Sequence, residues 1–300
     1  MASRRAPDPA PAPPLLAGLP FAGRARQRLA AAVTALFTDP HGPPPAPVIR
    51  RDDGLFGAQS AAWRVHGDVT TMMVGGIAAL MLQMLHPGAL AGVWDHSAFR
   101  TDMAGRLRRT ARFIALTTYG GPDEAQAAID RVARIHRAVS GVTADGTPYR
   151  ADDPHLLGWV HVTECWSFLA AWTRYGDPLM PAADRDRYFA EMARLGALMG
   201  VIDPPASQVA ALALIDRFRP ELRRDARTAE VAAHLLGGGS GGADGGGAGA
   251  AAHALTIRAA LDLLPPWAQA MHGLTPSGPL TPLVRAGTRE LQRTLRWALG

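Results

Sequence analysis

Residues 101–139 read TDMAGRLRRTARFIALTTYGGPDEAQAAIDRVARIHRAV, and this stretch decides the fold class. It contains two helical runs separated by a turn, and the second run is expected from about Pro122 to Ser140. Alanine-rich runs with few alternating β-branched residues favour helices here and in the rest of the chain. The sequence therefore predicts an all-α protein, a single globular domain of roughly 8–11 helices.

The first run places polar side chains on one helical face. Arg109 and Thr110 follow Arg106 by three and four residues, so two cations and a hydroxyl share that face. Phe113 and Thr117 continue the face for two further turns. This pattern indicates a polar group held against an apolar wall. The alternative interpretation is the solvated basic first half of a helix.

The second run carries a histidine on its apolar stripe. Ile129, Val132, His136 and Val139 follow one another at helical spacing, so His136 is expected to point into the core. An inward histidine is either a neutral imidazole bonded to a backbone carbonyl or a metal ligand. Ligation needs a neutral ring whose second nitrogen is held by an acceptor, and the residue pattern does not identify that acceptor.

A third helix is expected from Asp153-Pro154 to about Tyr175, because Asp is a good N-cap and Pro suits the first helical position. His161 and Glu164 lie on its inward stripe at a spacing that can bind metal. No second Glu-x-x-His pair is present, so a di-iron site is not expected, and a structural His161–Glu164 pair is the simpler interpretation. Cys165, the only cysteine, is expected to be a buried, inert thiol.

The stretch from about Gly67 to Val201 resembles the catalytic domain shared by MpaB-type oxygenases and rubber oxygenases, the latex-clearing proteins. Nearly half of the chain is covered, and the order and spacing of the motifs are more specific than any one of them. The motifs are Leu85-His86-Pro87, His96 to Arg100, Arg106 to Thr110, Ile135 to Val139, Gly141 to Tyr149, Trp159-Val160-His161, Tyr188 to Glu191 and Leu195-Gly196.

The resemblance implies an all-helical domain around a buried haem pocket, in which one proximal histidine holds a b-type haem. His136 is then the proximal iron ligand, and Arg106 and Thr110 are pocket residues that bind the cofactor. Arg106, with Arg109, would stabilise negative charge that develops as O2 is activated, and Thr110 would supply a hydrogen bond. His161 would bond a haem propionate. The implied reaction is the oxygenation of a small apolar organic substrate, with oxidative cleavage of an alkene as one form of it.

The chain departs from the rubber oxygenases at two places. Arg109 stands where they carry a lysine immediately before the pocket threonine, so a planar fork replaces a point charge. They also use a glutamate upstream of the arginine as a proposed base, and no glutamate lies between Arg64 and Arg106. These departures bear on the substrate more than on the haem.

Two other classes of protein stay open at this point. A helical haem sensor would keep His136 and add His161 or His86 as a second iron ligand, without turnover. A cofactor-free interaction protein would use Arg106 in an ordinary ion pair with Asp102 or Glu124. The oligomeric state is left open.

Composition excludes a nucleic-acid-binding class. All 31 basic residues are arginines, and the formal net charge of +5 is spread along the chain. This arginine bias accompanies abundant Ala, Gly and Pro, which is typical of a genome-wide compositional drift rather than of a basic stripe. We therefore expect no nucleic-acid partner.

Composition along the chain predicts four regions. They are a Pro-rich leader with one short helix (1–47), a helical haem domain (48–236), a flexible Gly-rich tract (237–249) and C-terminal helices that dock on the same domain (250–300). The leader lacks the apolar core of a signal peptide, so the expected location is the cytoplasm.

Residues 69–93 contain no Asp, Glu, Lys or Arg and so raise the question of a membrane span. The uncharged helix proper is expected only from about Thr71 to Leu85, so we interpret it as a buried core helix. Its methionines Met72, Met73, Met81 and Met84 are candidates for a substrate-facing wall. Contact with a membrane surface stays open, because an oxygenase acting on a lipid would gain from it.

Overall fold

The computed structural model describes residues 22–39, 42–43, 46–236, 247–274 and 278–300. Most of the predicted leader and residues 237–246 of the predicted Gly-rich tract lie outside this description. Helices of the first half are α1 (Ala22–Phe37), α2 (Ala61–His66), α3 (Val69–Gln83), α4 (Pro87–His96), α5 (Met103–Tyr119), α6 (Pro122–Arg137) and α7 (Pro154–Ala171). Those of the second half are α8 (Ala182–Leu198), α9 (Gln208–Phe218), α10 (Ala226–Leu236), α11 (Gly247–Leu263), α12 (Pro266–His272) and α13 (Thr281–Leu299).

The all-α prediction is confirmed, with more helices in the described residues than expected. The sequence did not predict α2, α4, α10 and α12, which have at most 11 residues each. Isolated helices of this length are marginal in water, so their stability comes from packing rather than from a strong local pattern. Helix α11 begins at Gly247, inside the tract predicted to be a flexible linker.

The chain forms a small hairpin around Asp145-Gly146. Strands β1 (Ser140–Val142) and β2 (Pro148–Arg150) pair in antiparallel fashion, with Ser140 opposite Arg150. Gly146 has a φ of 89°, a left-handed conformation that glycine adopts without strain. The hairpin leads the chain from the end of α6 to the start of α7.

Helices α3 and α7 form the centre of the core. They approach closely at Gly75, where an added Cβ would lie 2.8 Å from Cδ1 of Phe168 and 3.0 Å from the carbonyl oxygen of Ser167. Trp159 on α7 is fully buried. The prediction that the uncharged segment is a core helix agrees with α3, which is buried over most of its length.

The C-terminal helices pack against this core. Helix α11 packs on α3, and α13 packs on α1, α11 and α3. Asp68, the N-cap of α3, is 2% exposed and accepts hydrogen bonds from Gln292 (2.8 Å) and Arg296 (2.7 Å) of α13. A buried carboxylate held by a cation and an amide fixes the position of α13 relative to α3.

Helices α5 and α6 form an antiparallel hairpin that is packed less tightly. The main neighbours of α5 are α6, α1 and α2, and the main neighbour of α6 is α5. Only Ala125 and Ile129 of α6 are fully buried. The α5–α6 hairpin carries most of the site residues predicted from the sequence.

No single described helix is long and apolar enough to span a membrane. Helices α3 and α4 meet the length and composition criteria together, but they are bent by 107° at the break between them.

Candidate functional site

The start of α5 sets the positions of its three predicted site residues. Asp102 is the N-cap, and its Oδ1 accepts a hydrogen bond from the Gly105 amide at 2.6 Å. The same carboxylate lies 3.3 Å from Nη1 of Arg109 and 3.7 Å from Nη2 of Arg108. The Arg109 side chain is 62% exposed, so Arg109 is a surface cation paired with the helix cap.

Arg106 occupies a different environment from its neighbours on α5. Nη1 of Arg106 lies 3.4 Å from Oγ of Ser97, and no carboxylate pairs with the guanidinium among the described residues. Burial and, to a smaller extent, the charge of Arg109 together lower the pKa of Arg106 to about 10. The ion pair with Asp102 or Glu124 that a cofactor-free interaction protein would use is not formed, because Asp102 pairs with Arg108 and Arg109 and Glu124 bonds the Gly121 amide.

Thr110 lies on the exposed side of α5. Its hydroxyl donates to the carbonyl oxygen of Arg106 at 3.2 Å, the usual arrangement for a threonine inside a helix. Thr110 and Arg109 are both exposed, whereas Arg106 is half-buried. The three side chains share a helical region, but only Arg106 turns toward the protein.

His136 is half-buried near the end of α6, rather than fully in the core as its position on the apolar stripe suggested. Neither ring nitrogen has a hydrogen-bond partner within the described part of the chain. Burial lowers the pKa of His136, and the negative charge of Asp152 opposes that shift. The ring is therefore neutral at physiological pH, the protonation state that a metal ligand requires.

His161 and Glu164 do not form the structural pair that the sequence suggested. The ring of His161 lies instead against Cys165, with Sγ 3.7 Å from Nε2 and 3.8 Å from Nδ1. His161 therefore contacts the neutral thiol of Cys165 and not the carboxylate of Glu164. Cys165 is a buried free thiol as expected, and burial raises its pKa.

The carboxylate of Glu164 has no hydrogen-bond or ion-pair partner among the residues that the structure describes. Burial raises the pKa of Glu164 to about 7 and lowers that of His161 to about 4. Both side chains nevertheless keep accessible surface. Arg106 and His136 are half-buried in the same way.

A buried polar cluster next to α7 was missed by the sequence interpretation. The ring of His66 lies between two hydroxyls, with Nδ1 2.8 Å from Oγ1 of Thr118 and Nε2 3.0 Å from Oη of Tyr188. Burial lowers the pKa of His66 to about 3, so the ring is neutral. The cluster joins α2, α5 and α8, and no local pattern marks His66, because its partners are 52 and 122 residues away.

The predicted site residues are not joined to one another by direct contacts. No hydrogen bond or ion pair links Arg106, His136 and His161 in the described ranges. Two surface cavities, of about 340 and 470 Å³, lie elsewhere. The smaller borders Pro87 and Arg227, and the larger borders Asp68 and Arg296. Arg106, His136 and His161 share a half-buried position, whereas Arg109 and Thr110 are exposed.

The methionines of α3 divide into two groups. Met81 and Met84 are fully buried in the core, and Met72 and Met73 are half-buried. Only Met72 and Met73 therefore remain candidates for a substrate-facing wall.

Comparison with protein-family models gives one match, to the family described as "ER-bound oxygenase mpaB/B'/Rubber oxygenase, catalytic domain". The match covers residues 63–298, which include α3 to α12, nearly all of α2 and α13 and every predicted site residue. No curated protein and no solved structure matches the chain.

Proposed function

Because the chain belongs to the mpaB and rubber oxygenase catalytic domain family, and is therefore an oxidoreductase of the oxygenase class, we propose that it binds haem b and uses O2 on a small apolar organic substrate. Oxidative cleavage of an alkene is the finer form of this proposal. Family membership favours an enzyme over the sensor and over the cofactor-free interaction protein.

The observation that carries the haem proposal is the unpaired guanidinium of Arg106. A cation that is surrounded by protein is costly unless an anion compensates its charge. No carboxylate does so among the described residues. A haem propionate is an anion of suitable size, and charge-assisted bonds from arginine to a carboxylate are among the stronger hydrogen bonds. Arg106 therefore fits a bound anionic cofactor better than it fits the free protein.

His136 fits the role of iron ligand for a complementary reason. Its ring is neutral, half-buried and free of hydrogen-bond partners in the described residues, so a nitrogen lone pair is available. When bound, haem iron supplies the redox chemistry that activates dioxygen, which amino-acid side chains do not supply.

The remaining residues take supporting roles in this proposal. The guanidinium of Arg106 stabilises negative charge beside the cofactor, and the apolar faces of α5 and α3 exclude water from the substrate. His161, kept neutral by burial, provides a hydrogen bond to a propionate. Arg109 and Thr110 stand at the exposed rim, where a cation and a hydroxyl can orient a polar group that enters from solvent.

The test is the absorption spectrum of the full chain expressed with a haem precursor. We expect a Soret band in the native protein and in His96→Ala, an exposed-histidine control, and loss of the band in His136→Ala. Arg106→Met should bind haem at least about tenfold more weakly, because a charge-assisted bond to the cofactor is lost.

A colourless native protein that takes up no added haem would reject the haem proposal. It would leave the family assignment in place, since that assignment rests on the sequence match. If haem binds, oxygen consumption with a series of alkenes then tests the substrate class.

A further inference from the structure

We propose that His86, His155 and Glu221 bind one divalent metal ion of the zinc class, at a site distinct from the residues assigned to haem. Nε2 of His155 lies 2.8 Å from Oε2 and 3.0 Å from Oε1 of Glu221. Nε2 of His86 lies 3.4 Å from the same Oε2. One ligand atom from each residue falls within 4.8 Å of the others.

These separations suit zinc with small side-chain movements. Bonds from zinc to nitrogen and oxygen are ~2.0 Å long, so neighbouring ligands of a tetrahedral ion lie roughly 3.3 Å apart. Two histidines and one glutamate are a ligand set that zinc uses when a water molecule takes the fourth position. His155 and Glu221, whose side chains are 59% and 42% exposed, leave that position open to solvent.

Surrounding packing holds the three side chains in place before any ion binds. The Arg223 amide donates to the carbonyl oxygen of Leu85 at 2.7 Å, which fixes the segment carrying Glu221 beside His86. The ring of His155 packs on Phe218, with 4.5 Å between ring centroids. Such preorganisation lowers the conformational cost of binding.

His86 supplies an independent observation that favours a ligand. Its Nε2 atom is buried and has no hydrogen-bond partner of acceptable geometry among the described residues, although the ring has polar neighbours. A buried polar nitrogen without a partner is uncommon in folded proteins and calls for an explanation. An ion between His86 and Glu221 would satisfy it.

Two features oppose the ion and limit its affinity. Nδ1 of His86 accepts a hydrogen bond from the Gly88 amide at 3.1 Å, so the neutral ring carries its proton on Nε2. For Nε2 to bind the ion, that proton must move to Nδ1, and the hydrogen bond from Gly88 is then lost. Helices α4 and α7 both begin here, and their positive ends disfavour a cation. Asp153, the N-cap of α7, contributes a compensating negative charge.

The experiment is calorimetric titration of the chelator-treated full chain with Zn²⁺ near neutral pH. We expect one ion to bind per chain. His155→Ala, Glu221→Gln and His86→Asn should each weaken binding at least about tenfold, a loss that even an outer partner of a metal site causes. Asn keeps an N-cap acceptor at the start of α4, so His86→Asn removes the ligand and preserves the cap.

His96→Ala is the matched control, because His96 is exposed and its Nε2 lies 3.1 Å from the Ser140 carbonyl oxygen, outside the cluster. It should bind Zn²⁺ as the native protein does, as should His136→Ala. Failure of the native chain to bind Zn²⁺, or equal affinity in the three ligand variants, would overturn the proposal. Because His136→Ala lacks the proposed haem ligand, its Zn²⁺ affinity tests the metal site separately from haem binding.

Discussion

The α5–α6 hairpin lies between α3 and α7 in the sequence, but it is packed differently from the α3–α7 pair. In the α3–α7 pair, Gly75 brings two apolar helices into direct contact, and the fully buried Trp159 of α7 donates to the carbonyl oxygen of Gln83 at the end of α3 at 3.4 Å. In the hairpin, Arg106 and His136 are half-buried and lack ion-pair partners. The first region supplies the stability of the fold. In the second, these polar groups have no ion-pair partner among the described residues.

The largest contrast should come from truncating one large side chain in each region. Trp159→Ala on α7 should lower the free energy of unfolding by about 3–5 kcal/mol, through lost burial and a cavity. Ile135→Ala on α6, where the side chain is 51% exposed, should change it by less than about 0.5 kcal/mol. Urea unfolding of both variants measures the difference, and similar losses would contradict the comparison.

The next contrast is between a paired and an unpaired arginine. Arg296→Met should destabilise the haem-free protein by about 3 kcal/mol, because the buried carboxylate of Asp68 loses its cation. Arg106→Met should leave the stability unchanged or raise it by up to about 1 kcal/mol, because it removes a cation that has no partner. Thermal unfolding of the haem-free variants checks both signs. A large loss in Arg106→Met would show that its guanidinium has a structural role.

Adjacent glycines of α3 test how closely the core helices approach. Gly75→Ala should destabilise by about 1–3 kcal/mol, because the new methyl group would overlap Phe168 and the Ser167 carbonyl. Gly76→Ala has its nearest neighbour at 3.9 Å and should be neutral or stabilising by up to about 1 kcal/mol. Chemical denaturation of the pair measures the effect, and equal changes would indicate that α3 and α7 can separate without cost.

The last contrast should appear as a dependence on pH. The pKa of Glu164 is raised from 4.5 to about 7, so the folded state binds this proton more tightly than the unfolded state does. Its stability contribution is therefore present at low pH and is lost as the pH rises from 4.5 to about 7. Glu164→Gln should gain stability relative to the native protein over that window, measured by urea unfolding without haem. A difference that stays constant with pH would count against an unpartnered carboxylate.

Part of the candidate site could be predicted from local sequence, and part could not. Helical spacing put Arg106 on one face of α5 together with Arg109 and Thr110, but Arg106 is half-buried and the other two are exposed. Spacing alone does not distinguish these positions, because the burial of each side chain depends on which other parts of the fold pack against it. The suggested His161–Glu164 pair failed for a similar reason, since the rotamer of His161 is set by Cys165 and by the close approach of Gly196 on α8.

The sequence by itself determined the helical class, the position of the long helices and the membership of an oxygenase family, because periodicity and motif order are properties of neighbouring residues. Only the tertiary structure decided which polar groups find partners. Asp68 meets Arg296 across 228 residues, whereas Arg106 meets no carboxylate in the described chain. Pairing over such distances depends on how helices are placed against one another, and that placement is settled by packing in the folded state.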